Sequence, residues 1–274
     1  MNSRRMLWLY LPLGLYLLFA LFPVYWMLVT SLKPEAEFYT LKNFLWTDHP
    51  TLANFKGLFR ETHFIKWFTN SLIVALASTL ISLIISSLGA YAIARLRFRG
   101  AVTLGSAILL IYLVPRTLLF IPLYNVLNRL GLINTIYALI VAYPTFTVPF
   151  CTWMLIGYFK SIPKAIEECA LIDGCGRFQI LSKIVFPLAA PGIVAAGIFS
   201  MTLSWSEFLY GLIFVTSSNR MVLPVGLASL EIGDVANWSQ IMGGCMLASL
   251  PLLILYILLQ RYFVEGLTAG AVKG

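Results

Sequence analysis

Apolar residues in this chain do not alternate with polar ones at the period of a half-buried helix or strand; they run together. Windows of roughly 19 residues apolar enough to cross a hydrocarbon core of about 30 Å recur along the whole sequence. They cover 7–32, 68–93, 101–124, 133–159, 192–216 and 241–259. Each stretch is too long and too continuous for a barrel strand, so six membrane-spanning helices are predicted, each satisfying its backbone internally. Arg4 and Arg5 ahead of the first stretch resemble the start of a secretory leader, but the apolar run continues to Leu32 without a small-x-small cleavage pattern, and an uncleaved first helix is expected. Pro115 and Pro122 in the third stretch, and Pro144 and Pro149 in the fourth, should bend or interrupt their helices, and the carbonyls they free are tolerated where they line a cavity.

Composition agrees with a lipid solvent: 60% of the 274 residues are hydrophobic and 11% charged, too apolar for a surface that water must cover. The net charge of +8 does not mark a nucleic-acid binder, because the basic residues gather at the ends of the stretches instead of forming one stripe. Arg4 and Arg5, then Arg95, Arg97 and Arg99, then Lys160, Lys164, Arg177 and Lys183 place three segments in the cytoplasm by the positive-inside rule, and both termini with them. Cys151 and Cys245 fall inside spans, while Cys169 and Cys175 lack the paired spacing of a zinc site; no metal site is expected.

The segment 160–191 is polar enough to be wet and patterned enough to fold. Pro163 suits the first turn of a helix with Ser161 as its cap, Ile166, Ala170 and Ile172 offer apolar contacts, Glu167 and Glu168 form a charged side, and Asp173-Gly174 reads as a stop. Phe178, Leu181, Ile184 and Val185 are spaced for a second amphipathic helix before Pro187 and Pro191 lead back to the membrane. Spacing alone leaves two uses open: a helix pair lying on lipid headgroups, or a docking platform.

The run from Glu168 through Ala170, Asp173 and Gly174 to Pro187 resembles the EAA loop of permeases in ATP-binding-cassette (ABC) importers, with Cys169, Cys175 and Phe186 as departures from that pattern. Phe68-Thr69-Asn70-Ser71, Ala90-Tyr91-Ala92-Ile93-Ala94-Arg95, Ile121-Pro122-Leu123-Tyr124 and Trp205-Ser206-Glu207-Phe208 are similar to the carbohydrate-uptake branch of that family, and the tail from Gly266 to Gly274 to the end of maltose-type permease chains. The resemblance implies an all-α integral membrane protein of one transmembrane domain, with a cytoplasmic coupling-helix loop between spans four and five. It implies a second permease subunit, a dimer of ATP-binding subunits that holds ATP and magnesium, an extracellular solute-binding protein, and a sugar or sugar-like substrate crossing a bacterial inner membrane. This chain carries no Gly-x-x-x-x-Gly-Lys-Ser/Thr loop, and is expected to be non-catalytic and to bind no cofactor itself. The coupling set implied by the resemblance is Glu167, Glu168, Ala170, Asp173, Gly174 and Lys273: Glu168 for polar contacts in the ATPase groove, Ala170 for close approach, Gly174 for the turn and Lys273 on a tail that touches the ATPase pair.

Arg116 and Glu207 are the charged residues well inside predicted spans, at similar depth if both helices are continuous. An ion pair between them, or independent snorkelling of each, accounts for that equally well. Tyr143, Thr147 and Trp205 combine aromatic faces with hydrogen-bonding groups and are candidates for a sugar-contacting wall, or for plain helix packing. Two rival functions remain at this level: a proton-coupled secondary transporter with Glu207 as the titrating carboxyl, and a membrane enzyme, disfavoured because His49 and His63 share one outer loop and no nucleophile sits beside a base.

Overall fold

The structure, a computed structural model, describes residues 3–38, 45–96, 98–232 and 235–271. Apart from an antiparallel pairing of Glu231–Ile232 with Val235–Ala236, the regular elements among them are helices. Trp8–Leu32, Phe64–Arg95, Ile136–Ser161 and Trp238–Tyr262 are each long and apolar enough to cross a membrane. Two bent pairs, Ala101–Tyr112 with Arg116–Arg129 and Arg177–Leu188 with Ala190–Trp205, turn by 97° and 76° and bring the number to six if each pair is one span.

The third apolar stretch is therefore not one helix. Leu113 still has helical angles but Pro115 is extended at ψ 123°, and the residue before a proline is disfavoured in the helical region, so the helix stops at Tyr112 and restarts at Arg116. Pro122 stays inside the second helix of the pair. Pro144 does less than expected: Tyr143 before it keeps helical angles, and Ile136–Ser161 continues as one span. The fifth stretch ends earlier than 216, because the helix terminates at Trp205 and only a short helix, Leu209–Phe214, follows.

The chain divides into two compact units, 1–68 with 225–250, and 69–224 with 251–274. In the first, Asn54 Nδ2 donates to the carbonyls of Ser31 and Lys33, both at 2.8 Å, and so fastens the helix Ala53–Glu61 to the end of the first span. In the second, a stripe of serines on Phe64–Arg95 meets Ile136–Ser161. Ser82 Oγ and Thr147 Oγ1 are 2.7 Å apart, Ser86 Oγ donates to the Val148 carbonyl at 3.2 Å, and Ser78 Oγ reaches the Ile140 carbonyl at 3.5 Å. That last carbonyl is the one Pro144 leaves without an amide donor, so the serine compensates the proline. Small hydroxyl residues at a seam also let the two backbones come close.

Beyond this seam an apolar cluster of Ala90, Tyr91, Phe159, Ile162, Ile180 and Val185 joins the C-terminal ends of these two spans to the segment that follows the second of them. Gly192, at the start of Ala190–Trp205, lies against the Tyr158 ring so closely that a Cβ there would sit 2.4 Å from Cγ. Replacing Gly192 with Ala should overpack this contact and destabilise the protein by about 1–3 kcal/mol. Thermal unfolding of the solubilised protein checks it, with Gly157→Ala, which meets open space on the facing helix, expected to leave the transition in place.

Candidate functional site

Segment 160–191 folds as an elbow. The helix Pro144–Ser161 ends because Ile162 precedes a proline and is extended at ψ 130°. The elbow's first helix, Lys164–Ile172, starts after Pro163, which is its N-cap and not part of its first turn. Ser161 is not the cap; its hydroxyl bonds back to the Tyr158 carbonyl at 2.7 Å. The stop at Asp173-Gly174 is as expected from the sequence: Gly174 has φ 82°, the Gly174 amide donates to the Leu171 carbonyl at 3.1 Å and the Cys175 amide to the Ala170 carbonyl at 3.0 Å. This pair of bonds is a Schellman motif, which needs a left-handed residue at the glycine.

The elbow's second helix, Arg177–Leu188, contains a π-helical turn at Leu181–Val185. Its buried residues are Ile180, Leu181 and Val185, while Phe178, expected on the apolar face, is 76% exposed. The wider turn shifts the residues after it away from a uniform 3.6-residue projection, and Pro187 lies within the helix instead of ending it.

The two adjacent glutamates have opposite surroundings. Glu167 turns inward: its Oε1 lies 2.8 Å from Arg95 Nε, its Oε2 accepts from the Tyr91 hydroxyl at 3.1 Å, and the Arg95 and Glu167 side chains are only 4% and 13% exposed. The Arg95 N–H is not aligned for a linear hydrogen bond, so the contact is an ion pair by distance. Arg95 Nη2 also donates to the Ile162 carbonyl at 2.6 Å. One cation at the end of Phe64–Arg95 thus holds both the C-terminal end of Pro144–Ser161 and the elbow helix.

Ala170 is buried in the chain's own apolar cluster, where its small size admits Tyr91 and Ile180 nearby. Glu168, Asp173 and Gly174 are exposed. With them, Leu171 and Ile172 stand out from the elbow, Ile172 at 86% exposure and contrary to its expected role as an inward contact. Lys273 lies outside the described residues.

The candidate pathway residues separate as well. Tyr143 and Thr147 are fully buried and Trp205 nearly so, Thr147 being held in the serine seam. Arg116 and Glu207 form no ion pair. The Glu207 carboxylate accepts the Tyr210 amide at 3.0 and 3.2 Å and the Gly211 amide at 3.3 Å, capping the short helix Leu209–Phe214, and the buried Tyr143 hydroxyl interacts with it electrostatically without closing a hydrogen bond. Arg116 instead lies over the Phe146 ring, 5.3 Å from its centroid.

Asn134 was not singled out from the sequence, although a lone Asn before an apolar run is a turn signal. It adopts φ 61° and uses every polar group it has. Its amide donates to the Phe214 carbonyl at 2.7 Å and its Nδ2 to Ser217 Oγ at 2.8 Å; its Oδ1 accepts the amides of Thr216 and Ser217, and its carbonyl accepts Arg220 Nη1 at 2.7 Å. Asn70 and Ser71 likewise hold the neighbouring segment, through the carbonyls of Asn219 and Met221 and the amide of Leu223.

A family model described as binding-protein-dependent transport system inner membrane component matches residues 85–268. The inner membrane ABC transporter permease protein YcjP of Escherichia coli is 36% identical over 267 residues, covering 97% of this chain and 95% of that protein. The sulfoquinovosyl glycerol transport system permease protein SmoH of Agrobacterium fabrum is 40% identical over 255 residues, covering 93% and 89%. Among solved structures, a chain of a bacterial ABC transporter involved in the import of the acidic polysaccharide alginate superposes with a TM-score of 0.82 at 21% identity, covering 96% of this chain and 98% of that one.

Removing one member of the Arg95–Glu167 pair leaves a buried charge without its partner, a loss of about 3–5 kcal/mol in local stability. Arg95→Gln and Glu167→Gln should each expose the amides of 162–172 to hydrogen exchange, and the double variant should lose less than the sum of the two. Additive losses would show that the two side chains act separately.

Proposed function

We infer, on the premise that this chain belongs to the family of binding-protein-dependent transport system inner membrane components, that it is the permease subunit of an ABC importer for a sugar or sugar-like solute, driven through its elbow by a separate ATPase. The sugar class is supported by SmoH, whose name gives a glycoside as its solute. The observation that carries the coupling role is the division of the elbow into two faces. Arg95 and Glu167 fix the inner face to the chain's own spans, while Glu168, Leu171, Ile172, Asp173 and Phe178 stand exposed on the other.

An exposed apolar tip of this kind is costly in water and suits a groove on another protein. Seated in a groove of the ATP-binding dimer, it moves when that dimer closes, and because Glu167 is fastened to Arg95 the motion passes to the spans as a rigid-body displacement. Gly174 holds the angle between the two elbow helices. The elbow and both termini face the cytoplasm, supported by the basic residues Arg95, Lys160, Lys164, Arg177 and Lys183 on that side. ATP and magnesium belong to the ATPase pair, which also meets the tail at Lys273. A second permease chain completes the pathway, and an extracellular binding protein delivers the solute. Arg116, Tyr143, Thr147, Trp205 and Glu207 lie along this chain's share of the route, the buried ones supporting it from behind.

The proton-coupled alternative loses its main support. Glu207 has a sufficient structural reason to be where it is, since its carboxylate caps a helix.

In proteoliposomes holding the whole assembly, uptake should require ATP and persist when the proton gradient is collapsed. Glu168→Ala and Gly174→Val should separate ATP hydrolysis from solute, lowering uptake per ATP by roughly tenfold while hydrolysis continues. In Gly174→Val a β-branched residue would be forced to φ 82°. Uptake that follows the proton gradient, or elbow variants that transport normally, would count against this reading.

A further inference from the structure

The break in the third apolar stretch opens a cleft of about 320 Å³, lined among others by Tyr112, Pro115, Arg116, Thr145, Phe146 and Pro149. That volume lies at the lower end of small-molecule sites, which run from about 300 to 1,000 Å³, and suits one sugar ring with a substituent. The walls are apolar and aromatic, the surface a pyranose face prefers, with two exceptions. One is Thr145, whose carbonyl Pro149 leaves without its helical donor. The other is Arg116.

The position of Arg116 is fixed and, although its charge is felt by the Glu207 carboxylate, among the described residues it forms no direct ion pair. Its carbonyl accepts the Tyr210 hydroxyl at 3.0 Å, which holds the backbone, and its guanidinium lies over Phe146 and is exposed to the cleft. The carboxylate nearest in role, Glu207, is engaged by the amides of Tyr210 and Gly211 and makes no ion pair with it. Arg116 also opens the helix Arg116–Arg129, whose first turn receives no side-chain cap, so the positive end of that helix adds to the guanidinium. A cation within a membrane-spanning region is costly enough to call for an anion, and a planar guanidinium beside an aromatic face recognises a carboxylate or sulfonate well.

We propose that this cleft is a subsite for the transported solute in which Arg116, backed by Phe146, receives the anionic group of an acidic sugar while Tyr112 faces its ring. Arg116 is then a specificity-determining residue of this chain. The proposal rests on the sugar-permease reading above and narrows its substrate class.

The test uses the complete transporter with its binding protein, reconstituted in vesicles of phosphatidylcholine alone and in vesicles that also contain an anionic phospholipid. Uptake of a uronic-acid disaccharide is compared with that of the neutral disaccharide of the same linkage. The wild type should prefer the acidic solute. Arg116→Gln should reduce the acidic-to-neutral ratio of half-saturating efficiencies by roughly tenfold or more, the loss of a charge-assisted contact. Arg116→Lys should recover part of it, in both kinds of vesicle alike.

Wild-type uptake confined to the neutral disaccharide overturns the subsite and leaves the permease reading standing. So does an Arg116→Gln variant whose ratio is unchanged, and if that variant fails to assemble, an unchanged ratio in Arg116→Lys overturns it as well. An effect seen only with anionic phospholipid would assign Arg116 to a lipid phosphate and remove the proposal. Absence of ATP-dependent uptake of both disaccharides would remove the sugar-permease reading and the subsite together.

Discussion

A guanidinium at the C-terminal end of the helix Phe64–Arg95 is the fastening on which the elbow depends. Arg95 reaches a carboxylate on the elbow helix and a carbonyl at the end of the preceding span, in surroundings that are almost dry. Its partners are available for local reasons. Ile162 is forced out of the helix by the proline after it, which frees its carbonyl, and Glu167 lies on the face of its helix that also carries Ala170 into the apolar cluster. Deprived of the cation, that largely buried carboxylate would keep only the Tyr91 hydroxyl, and the helix would have to rotate or lift to hydrate it. Because one glutamate is held inward, its neighbour is directed outward, so the inner fastening also decides which residues the elbow displays.

The same accounting of polar groups explains the spans. In lipid a carbonyl that loses its amide donor must find another or open onto a cavity. The carbonyl freed by Pro144 finds Ser78, and the helix continues. Where the chain turns at Pro115 a cleft appears, and Thr145, whose carbonyl Pro149 leaves free, lines it. Prolines in neighbouring spans thus have different consequences: the helices continue through Pro122, Pro144 and Pro149 and break at Pro115.

Much of this was legible in the sequence, and the misses have physical causes. The apolar stretches were visible because length and hydropathy are local properties, and the Asp173-Gly174 stop because a left-handed turn selects glycine. Which of Glu167 and Glu168 faces inward was not, since that depends on Arg95, distant along the chain and readable on its own only as an orientation signal. The depth argument that paired Arg116 with Glu207 assumed continuous helices. A 97° bend before the first and a helix end at Trp205 before the second removed that premise. Tyr143, Thr147 and Trp205 have the composition of a pathway wall and equally of a packed seam, and only burial separates the two. Phe178 shares the apolar spacing of Leu181 and Val185, and only burial separates it from them.

Asn134 has a mechanical corollary. With all its polar groups engaged, it joins the turn before Ile136 to the stretch Phe214–Arg220 so completely that the two cannot slide past each other without breaking several bonds at once. A hinge between the two is thereby excluded, and whatever motion this rim undergoes it undergoes as one piece.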